Sequence, residues 1–168
     1  MIKKISIIGA GYVGYSLAVL FSQKKEVSIF DTNEAKLKII KDQKSPIQDD
    51  EIDNFLENKR LNLNAATSLI ESIVNSDLII LALPTNFNSK NDCFDTSIIE
   101  ETISSVALSN ISVPILVKST VPIGFTKKMQ SLYPDATIIF SPEFLREGYA
   151  LVDNLKPQRI IIGDKGKL

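Results

Sequence analysis

The 168-residue sequence is 44% hydrophobic and 23% charged, and its 19 Lys and Arg residues against 20 Asp and Glu residues leave a formal net charge of −1 at pH 7. This balance is typical of a soluble globular domain, and a near-neutral chain lacks the field that attracts nucleic acid or an anionic membrane, so we expect neither partner. The absence of histidine and the presence of one cysteine, Cys93, exclude the common zinc-ligand patterns, Ser-His-Asp chemistry and an intramolecular disulfide, and we predict no metal site.

The first apolar run, Ile5–Ala10, is too short for a membrane helix, which needs roughly 20 residues. Glycines follow it, instead of the small-residue cleavage site of a signal peptide. We therefore predict a cytoplasmic protein whose residues 1–168 form a single domain.

Short apolar runs rich in Ile and Val recur along the chain and predict buried β-strands. They are Ile5–Ile8, Val27–Phe30, Leu78–Leu83, Pro114–Val117, Thr137–Phe140 and Arg159–Ile162. Their apolar character is continuous, as in strands that are covered on both faces. This pattern favours a parallel sheet with helices on each side.

Predicted helices lie between these runs. They are Tyr12–Lys24, Asn33–Lys41, Asp49–Asn58, Ser68–Asn75, Thr96–Leu108 and Pro122–Leu132. Residues that can accept from free helix N–H groups stand at two of the starts: Asp31, Thr32 or Asn33, and Asp95 or Thr96. Pro122 suits a first helical position because it has no N–H. The alternation of strands and helices predicts an α/β fold with a doubly wound, mostly parallel sheet of the Rossmann type.

A polar, Asn-rich stretch, Pro84–Asp95, interrupts this alternation and predicts a surface loop. The loop follows the carboxyl end of a strand, which is the edge where such sheets bind ligands.

The stretch Gly9-Ala10-Gly11-Tyr12-Val13-Gly14 has the G-x-G-x-x-G spacing and lies between a predicted strand and a predicted helix. Gly9 permits a tight turn, Gly11 lets the backbone approach a pyrophosphate, and Gly14 allows the helix to pack closely on the strand. The helix N-terminus supplies free N–H groups and the positive end of its dipole. A glycine triplet can also be only a tight turn, so the spacing alone leaves both interpretations open.

Asp31 follows the second predicted strand, twenty residues after Gly11, where a carboxylate can accept hydrogen bonds from the adenosine ribose hydroxyls. A 2′-phosphate beside it would meet a like charge at about 4 Å, a repulsion of roughly 4 kcal/mol at an effective dielectric of about 20. The sequence therefore predicts NAD as the cofactor and rejection of NADP. Asp31 could also cap the helix that begins at Asn33, and one residue could do both. Lys36 could approach the pyrophosphate or be a solvated helix lysine.

Three further motifs follow predicted strands: Pro84-Thr85-Asn86, Lys118-Ser119-Thr120-Val121-Pro122-Ile123-Gly124 and Ser141-Pro142-Glu143-Phe144-Leu145-Arg146-Glu147-Gly148. Together with the glycine motif, and in this order, they resemble the N-terminal half of the UDP-glucose/GDP-mannose dehydrogenase family. The resemblance covers essentially the whole chain, and the motif from Ser141 to Gly148 is its most specific part.

The resemblance implies an NAD-dependent oxidation of a nucleotide sugar, UDP-glucose or alternatively GDP-mannose, from primary alcohol to acid with two NAD reduced. The matching cofactor residues would be Gly9, Gly11, Tyr12, Val13, Gly14, Asp31, Lys36, Leu83, Pro84, Thr85, Ser119, Thr120, Val121 and Glu147. The matching substrate residues would be Glu143, Phe144, Leu145, Arg146 and Glu147. Thr120 would help to hold a water and Glu143 would help to hydrolyse a covalent intermediate, so the resemblance implies that these two are catalytic.

The residues by themselves support these roles less specifically. No histidine can activate the Thr120 hydroxyl, so water or cofactor positioning suits it better than nucleophilic attack. Glu143 and Glu147 would share a face if their segment is helical. They could instead be ordinary surface carboxylates with Arg146 as counter-charge.

Family members also use a thioester-forming cysteine, a mid-chain lysine and asparagine, and a long dimer-forming helix, which this sequence does not match. Cys93 lies in the polar stretch Asn91–Phe94 with no basic partner, so we predict an ordinary thiol. We therefore expect either a truncated chain or a shortened gene product, inactive alone, from a family whose full-length members form homodimers. The alternative is an NAD-sensing module without chemistry, which would have no need of the motif from Ser141 to Gly148.

Overall fold

The structure of the chain is a computed structural model that describes residues 1–89, 93–109 and 111–163. In these residues the strands are Lys4–Ile8 (β1), Glu26–Phe30 (β2), Leu63–Ala65 (β3), Leu78–Leu81 (β4), Phe87–Asn88 (β5), Cys93–Phe94 (β6), Ile115–Val117 (β7) and Ile138–Phe140 (β8). The helices are Tyr12–Ser22 (α1), Glu34–Lys41 (α2), Asp50–Asn58 (α3), Leu69–Ile73 (α4), Ser97–Leu108 (α5), Phe125–Leu132 (α6) and Ala150–Leu155 (α7). No helix in the described ranges is long and apolar enough to cross a lipid bilayer.

Six strands of the described chain form one sheet in the order β3-β2-β1-β4-β7-β8, and every neighbouring pair is parallel. β1 lies inside the sheet, where Ile7 stands opposite Ile29 of β2 and Ile80 of β4. Chain order reverses at β1, and in such sheets a crevice opens there outside the carboxyl ends of the strands. The predicted α/β fold with a doubly wound parallel sheet is confirmed.

Apolar side chains cover both faces of the sheet, which explains the continuous apolar runs. On one face α1, α2, α3 and α7 pack over a cluster that includes the fully buried Tyr15 and Ile29. On the other face α4, α5 and α6 pack over a cluster that includes Ile79 and Ile103. Full burial of a side chain such as Ile29 contributes roughly 1.5–3 kcal/mol, so each run favours an interior strand.

The sequence does not predict β3 and α7. β3 has three residues at one edge of the sheet, and Leu63, Asn64 and Ala65 form no apolar run. α7 has six residues and begins at Ala150 without a side-chain cap, so it lacks a start signal. Both elements are too short for a hydrophobic period to reveal them.

The predicted strand Arg159–Ile162 is wrong. These residues form no strand, and the three isoleucines among them are 70%, 44% and 56% exposed. After α7 the chain returns antiparallel to the edge strand β8, and in the described residues the two pair through one bridge, where the Gly163 N–H donates to the Phe140 carbonyl (2.7 Å). The run is apolar, but its position outside the sheet gives it no second layer to pack against.

Pro122 is not the first residue of its helix, contrary to the prediction. α6 begins at Phe125, and Gly124 precedes it with φ +87°, a left-handed conformation that glycine adopts readily. The Phe125 N–H donates to the Pro122 carbonyl (3.1 Å). Pro122 therefore opens a turn ahead of the helix.

The predicted loop Pro84–Asp95 contains a short antiparallel hairpin, β5 with β6. The rings of Phe87 and Phe94 pack edge to face across it, with centroids 5.4 Å apart. Strand β4, predicted to reach Leu83, ends at Leu81. Residues 90–92 of the predicted loop lie outside the described residues.

Candidate functional site

A cleft of about 610 Å³ lies at the carboxyl ends of β1, β2 and β4, and we call it the large cleft. Many of the predicted cofactor residues line it: Gly9, Gly11, Tyr12, Val13, Asp31, Lys36, Leu83, Pro84 and Glu147. They are far apart in sequence, and the parallel strand order brings them to one edge of the sheet. This edge, where chain order reverses, is the position at which such folds bind dinucleotides.

Gly9 and Gly14 are required by the packing of the protein itself. Gly9 has φ +107°, and a Cβ there would collide with the Ala82 carbonyl just past β4. A Cβ at Gly14 would collide with the Gly9 carbonyl and lie 3.2 Å from the Ala82 side chain. Most of these contacts are with backbone atoms, so neither position has room for a side chain.

Gly11 differs because the protein leaves the space beside it empty. A Cβ at Gly11 would have no neighbour within 4 Å, and its φ of −88° is open to any residue. Gly11 precedes α1 as its N-cap and provides no side-chain cap. The first N–H groups of α1 therefore lack intrahelical partners beside an open space, which is the arrangement that binds a phosphate group.

The Asp31 carboxylate follows β2, and 15% of its side chain is exposed. Its Oδ2 accepts from the Ala10 N–H (2.7 Å) and its Oδ1 from the Asn33 N–H (2.8 Å). A carboxylate has about four acceptor positions, so roughly two remain for the hydroxyls of a ligand. Asp31 does not cap α2. Asn33 caps it, because its Oδ1 accepts from the N–H groups of Ala35 and Lys36.

Lys36 borders both the large cleft and a neighbouring recess, with its Nζ 3.9 Å from Oδ2 of Asp31. This recess has a volume of about 430 Å³, and residues 45–48 close it opposite Gly11 and Tyr12. The sequence carries no motif at residues 45–48. Their place beside the glycine turn follows only from the fold.

A smaller recess of about 260 Å³, which we call the small recess, adjoins the large cleft. The two share a wall made of Val13, Ala82, Leu83, Pro84 and Leu145. The remaining lining residues of the small recess are Thr85, Lys118, Ser119, Thr120 and Glu143. Thr120 and Glu143, the two implied catalytic residues, are therefore brought together from beyond the ends of β7 and β8.

Glu143 is held by an ion pair that the sequence does not reveal. Its Oε2 lies 3.0 Å from the Nζ of Lys118, and the two side chains are 18% and 10% exposed. Its Oε1 accepts from the Phe144 N–H (3.0 Å), and the Lys118 Nζ also lies 3.4 Å from the Ser141 Oγ. The position of Lys118 directly after β7 could be read from the sequence as that of a site residue. Its carboxylate partner could not, because Glu143 reaches Lys118 only through the pairing of β8 with β7.

Ser119 and Val121 make structural contacts. The Ser119 Oγ accepts from the Leu83 N–H (2.9 Å) and so joins the chain beyond β7 to the chain beyond β4. Val121 packs against the buried cluster under α5 and α6. Thr120, between them, is exposed and lines the small recess. Contacts of Ser119 and Val121 with a cofactor stay predictions.

Residues 143–148 are not helical, so Glu143 and Glu147 share no helix face. Glu147 lines the large cleft and Glu143 the small recess.

The Arg146 side chain pairs with Asp153 and not with either glutamate. The Arg146 Nη2 lies 2.7 Å from Oδ1 of Asp153, and the Arg146 backbone N–H donates to Oδ2 (2.9 Å). These hydrogen bonds hold the pKa of Asp153 below its ordinary value, and the bond from the Arg146 side chain has the largest effect. The interpretation of Arg146 as counter-charge to the two glutamates is wrong.

Phe144, Arg146 and Cys93 line neither the large cleft nor the small recess in the described chain. The Arg159 guanidinium lies over the Phe144 ring at 4.4 Å, and that of Arg146 lies 5.1 Å from the Tyr149 ring. Cys93 is exposed on β6. Substrate contacts of Phe144 and Arg146 therefore stay predictions.

Residues 3–167 match the sequence model of the UDP-glucose/GDP-mannose dehydrogenase family, NAD binding domain. The chain is 42% identical over 167 residues to UDP-glucose 6-dehydrogenase of Campylobacter jejuni and 44% identical over 160 residues to that of Streptococcus pneumoniae. These matches cover 98% and 95% of this chain but 42% and 41% of the relatives. The solved structure of a UDP-glucose dehydrogenase from Pyrobaculum islandicum is similar with a TM-score of 0.83 and 27% identity, over 97% of this chain and 41% of that one. The chain thus spans about two fifths of the length of these relatives.

Proposed function

This chain belongs to the UDP-glucose/GDP-mannose dehydrogenase family as its NAD-binding domain, and we propose that it is the cofactor half of an enzyme that oxidises UDP-glucose to UDP-glucuronate with two NAD reduced. The observation that carries the proposal is the wall shared by the large cleft and the small recess. A cofactor in the cleft and a sugar in the recess would meet along that wall, as hydride transfer requires.

The large cleft suits NAD, which supplies the hydride acceptor for each oxidation when bound. Gly11 leaves room for a pyrophosphate at the N-terminus of α1, and Lys36 adds a positive charge nearby. The free acceptor positions of Asp31 suit ribose hydroxyls, whereas a 2′-phosphate there would meet a like charge. These contacts support NAD over NADP.

On the sugar side, the chain contributes Thr120, Glu143 and Lys118. Conversion of an aldehyde to an acid adds one oxygen, so the second half of the reaction consumes a water. We propose that the Thr120 hydroxyl orients this water and that a carboxylate oxygen of Glu143, fixed by Lys118, takes its proton. The water oxygen would then bond to the acyl carbon of the thioester that the resemblance implies, and the C–S bond would break with the cysteine leaving as a thiolate.

We also propose that residues 1–168 are one domain of a longer architecture, since the relatives extend well beyond the matched length. The missing catalytic thiolate, the central helix through which full-length members form homodimers and the rest of the sugar site would then come from outside these residues. The exposed position of Cys93 on β6, outside the lining of the small recess, supports an ordinary thiol.

Titration calorimetry on the 168-residue chain tests the cofactor part of the proposal. We expect saturable binding of NAD and much weaker binding of NADP. Equal affinity for the two dinucleotides, or tighter binding of NADP, would contradict the role of Asp31.

NADH absorbance with NAD and UDP-glucose tests the catalytic part. We expect no sustained turnover by the 168-residue chain and turnover by the protein expressed from its whole coding sequence, in which Cys93→Ser serves as a neutral control. Sustained turnover by the short chain would refute the half-site proposal. Turnover with GDP-mannose alone would reassign the substrate, and NAD binding without turnover by either protein would favour an NAD-sensing module.

A further inference from the structure

Asp49 is a buried carboxylate that joins two distant parts of the chain. It is 3% exposed and stands directly before α3 as its N-cap, where its Oδ1 accepts from the Ile52 N–H (3.2 Å). Its Oδ2 accepts from the Leu151 N–H (3.1 Å), at the start of α7 and 102 residues further along the chain. A capped helix needs only one acceptor atom, so the second bond is an additional restraint.

On one side of Asp49, residues 45–48 form the wall that faces Gly11 and Lys36. This wall is itself fixed, because the Tyr15 hydroxyl of α1 donates to the Lys44 carbonyl (3.2 Å) and the Ser45 Oγ donates to the Ile47 carbonyl (2.7 Å). A pyrophosphate at the glycine turn would therefore lie next to a loop that these two hydrogen bonds restrain and that ends at Asp49.

On the other side, Leu151 follows the 143–148 segment almost directly. Gly148 has φ +79° and lies close to the Gln48 carbonyl, which is 3.9 Å from the position of a Cβ at Gly148. Further along α7, Asp153 binds Arg146 of the segment, and the Asn154 Nδ2 donates to the Ser16 Oγ of α1 (2.8 Å). α7 thus connects the segment to the loop of Asp49 and to the helix of the glycine turn.

We propose that Asp49 is a positioning residue that fixes the 143–148 segment against the wall at residues 45–48, so that NAD in the large cleft orders the segment that carries Glu143 and Glu147. The proposal rests on the proposed role of that segment toward the sugar. Glu147 and Gly11 both line the large cleft, and Gly11 also lines the recess that residues 45–48 close, so a cofactor bound at Gly11 would lie beside both ends of this connection.

The test compares Asp49→Ser with the original chain by hydrogen exchange of the amides of residues 143–155, with and without NAD. Serine is a good N-cap, so α3 keeps its first acceptor while Leu151 loses its partner. In Asp49→Ser we expect the amides of this segment to exchange about tenfold faster than in the original chain. We expect NAD to slow their exchange in the original chain but not in the variant. The amide proton resonance of Leu151 should also move upfield, and trypsin should cleave faster after Arg146.

Ser68→Ala is the matched control, since Ser68 caps α4 away from the segment, where its Oγ accepts from the Glu71 N–H (3.1 Å). It should lower the melting temperature by a similar amount and leave the segment's exchange and its response to NAD unchanged. If Asp49→Ser does not fold, Asp49→Asn supplies the same comparison, because its amide nitrogen cannot accept from Leu151.

Unchanged exchange at residues 143–155 in Asp49→Ser, or equal effects of Asp49→Ser and Ser68→Ala, would overturn the proposal. A NAD-bound chain whose segment exchanges as fast as the free chain would overturn the link to the cofactor. Failure of the proposed function would give a different result. The effect of Asp49→Ser on exchange without NAD tests the Asp49 connection alone, since that measurement involves neither cofactor nor sugar, so it would persist even if the chain did not bind NAD or act on a sugar.

Discussion

The glycine turn at residues 9–14 and the 143–148 segment border the same cleft but are held in different ways. The turn is fixed mainly by backbone contacts, since the Gly9 N–H donates to the Phe30 carbonyl (2.8 Å) and Gly9 and Gly14 leave no room for a Cβ; one side chain, Asp31, adds a bond from the Ala10 N–H (2.7 Å). The segment is fixed by polar side chains, namely the pairs Lys118–Glu143 and Arg146–Asp153 and the bond from Leu151 to Asp49. A substitution that disrupts the packed backbone of the turn affects the whole turn, whereas the side-chain pairs of the segment can be removed one at a time. Single substitutions in the turn should therefore cause large losses of stability or binding, and single substitutions in the segment should cause small ones.

The sharpest test of the turn is Gly14→Ala. The added Cβ would collide with the Gly9 carbonyl, which neighbouring backbone cannot avoid by a rotamer change. We expect a loss of about 3 kcal/mol in the free energy of unfolding, at the upper end of overpacking costs. Urea denaturation measures it, and a loss below about 1 kcal/mol would show that the turn can yield.

Gly11→Val should separate binding from stability. A Cβ at this position has no protein atom within 4 Å, so we expect the free energy of unfolding to change by less than about 1 kcal/mol. The valine side chain would occupy the space of the pyrophosphate, and NAD affinity should fall by at least about 100-fold, or roughly 2.7 kcal/mol. Unchanged NAD affinity in a folded variant would count against the phosphate-binding turn.

Asp31→Asn should reduce the preference for NAD over NADP by roughly 10- to 100-fold, because the like-charge repulsion of a 2′-phosphate is removed and salt in the open cleft screens part of the roughly 4 kcal/mol that this repulsion would otherwise cost. Calorimetric titration with both dinucleotides measures the ratio. Asp42→Asn, an exposed carboxylate just past α2, is the control and should leave the ratio unchanged. Equal ratios in the two variants would place cofactor selection elsewhere in the cleft.

A double-mutant cycle on Lys118→Met and Glu143→Gln should give a coupling free energy of about 1–2 kcal/mol, between the values for exposed and buried ion pairs. The control cycle uses Lys128 and Glu100, whose 2.8 Å pair is 55% and 30% exposed, and should give about 0.2–1 kcal/mol. A larger coupling at the surface pair would contradict the assignment of Lys118 as the residue that fixes Glu143.

The smallest expected effect is on pH dependence. The pKa of Asp153 is lowered in the folded chain by the hydrogen bonds from Arg146. A carboxyl group with a lowered folded pKa contributes stability that is complete above its unfolded pKa, near 4, and is lost as pH falls through the folded value. The difference in unfolding free energy between the original chain and Asp153→Asn should thus be constant above about pH 5 and shrink below about pH 4. Arg146→Gln keeps the backbone hydrogen bond to Asp153 but loses the side-chain ones, so it should weaken this pH dependence. A difference in unfolding free energy that grows as the pH falls would contradict the lowered pKa of Asp153.

Features that depend on local chemistry are readable from the sequence, and features that depend on tertiary neighbours are not. The interior strands β1, β2 and β4 have continuous apolar runs, and Gly9, Gly11 and Asp31 stand at fixed spacings after them. By contrast, Arg159–Ile162 has the composition of a buried strand but lies outside the sheet, so composition alone cannot place it. Lys118 acquires its role from Glu143, which follows β8, and Asp49 acquires its role from the Leu151 N–H on α7. α7 itself has no signal in the sequence.

The interior position of β1 has a consequence for how the chain folds. Its Ile5 pairs with Val27 on β2 and with Leu78 on β4, which is much further along the chain. Closing the longer connection costs about 1 kcal/mol more in chain entropy, so the β1–α1–β2 unit should assemble first. During ribosomal synthesis this unit would present an unpaired apolar edge until β4 has emerged from the ribosome. That interval is when the nascent chain is most prone to mispairing with another strand.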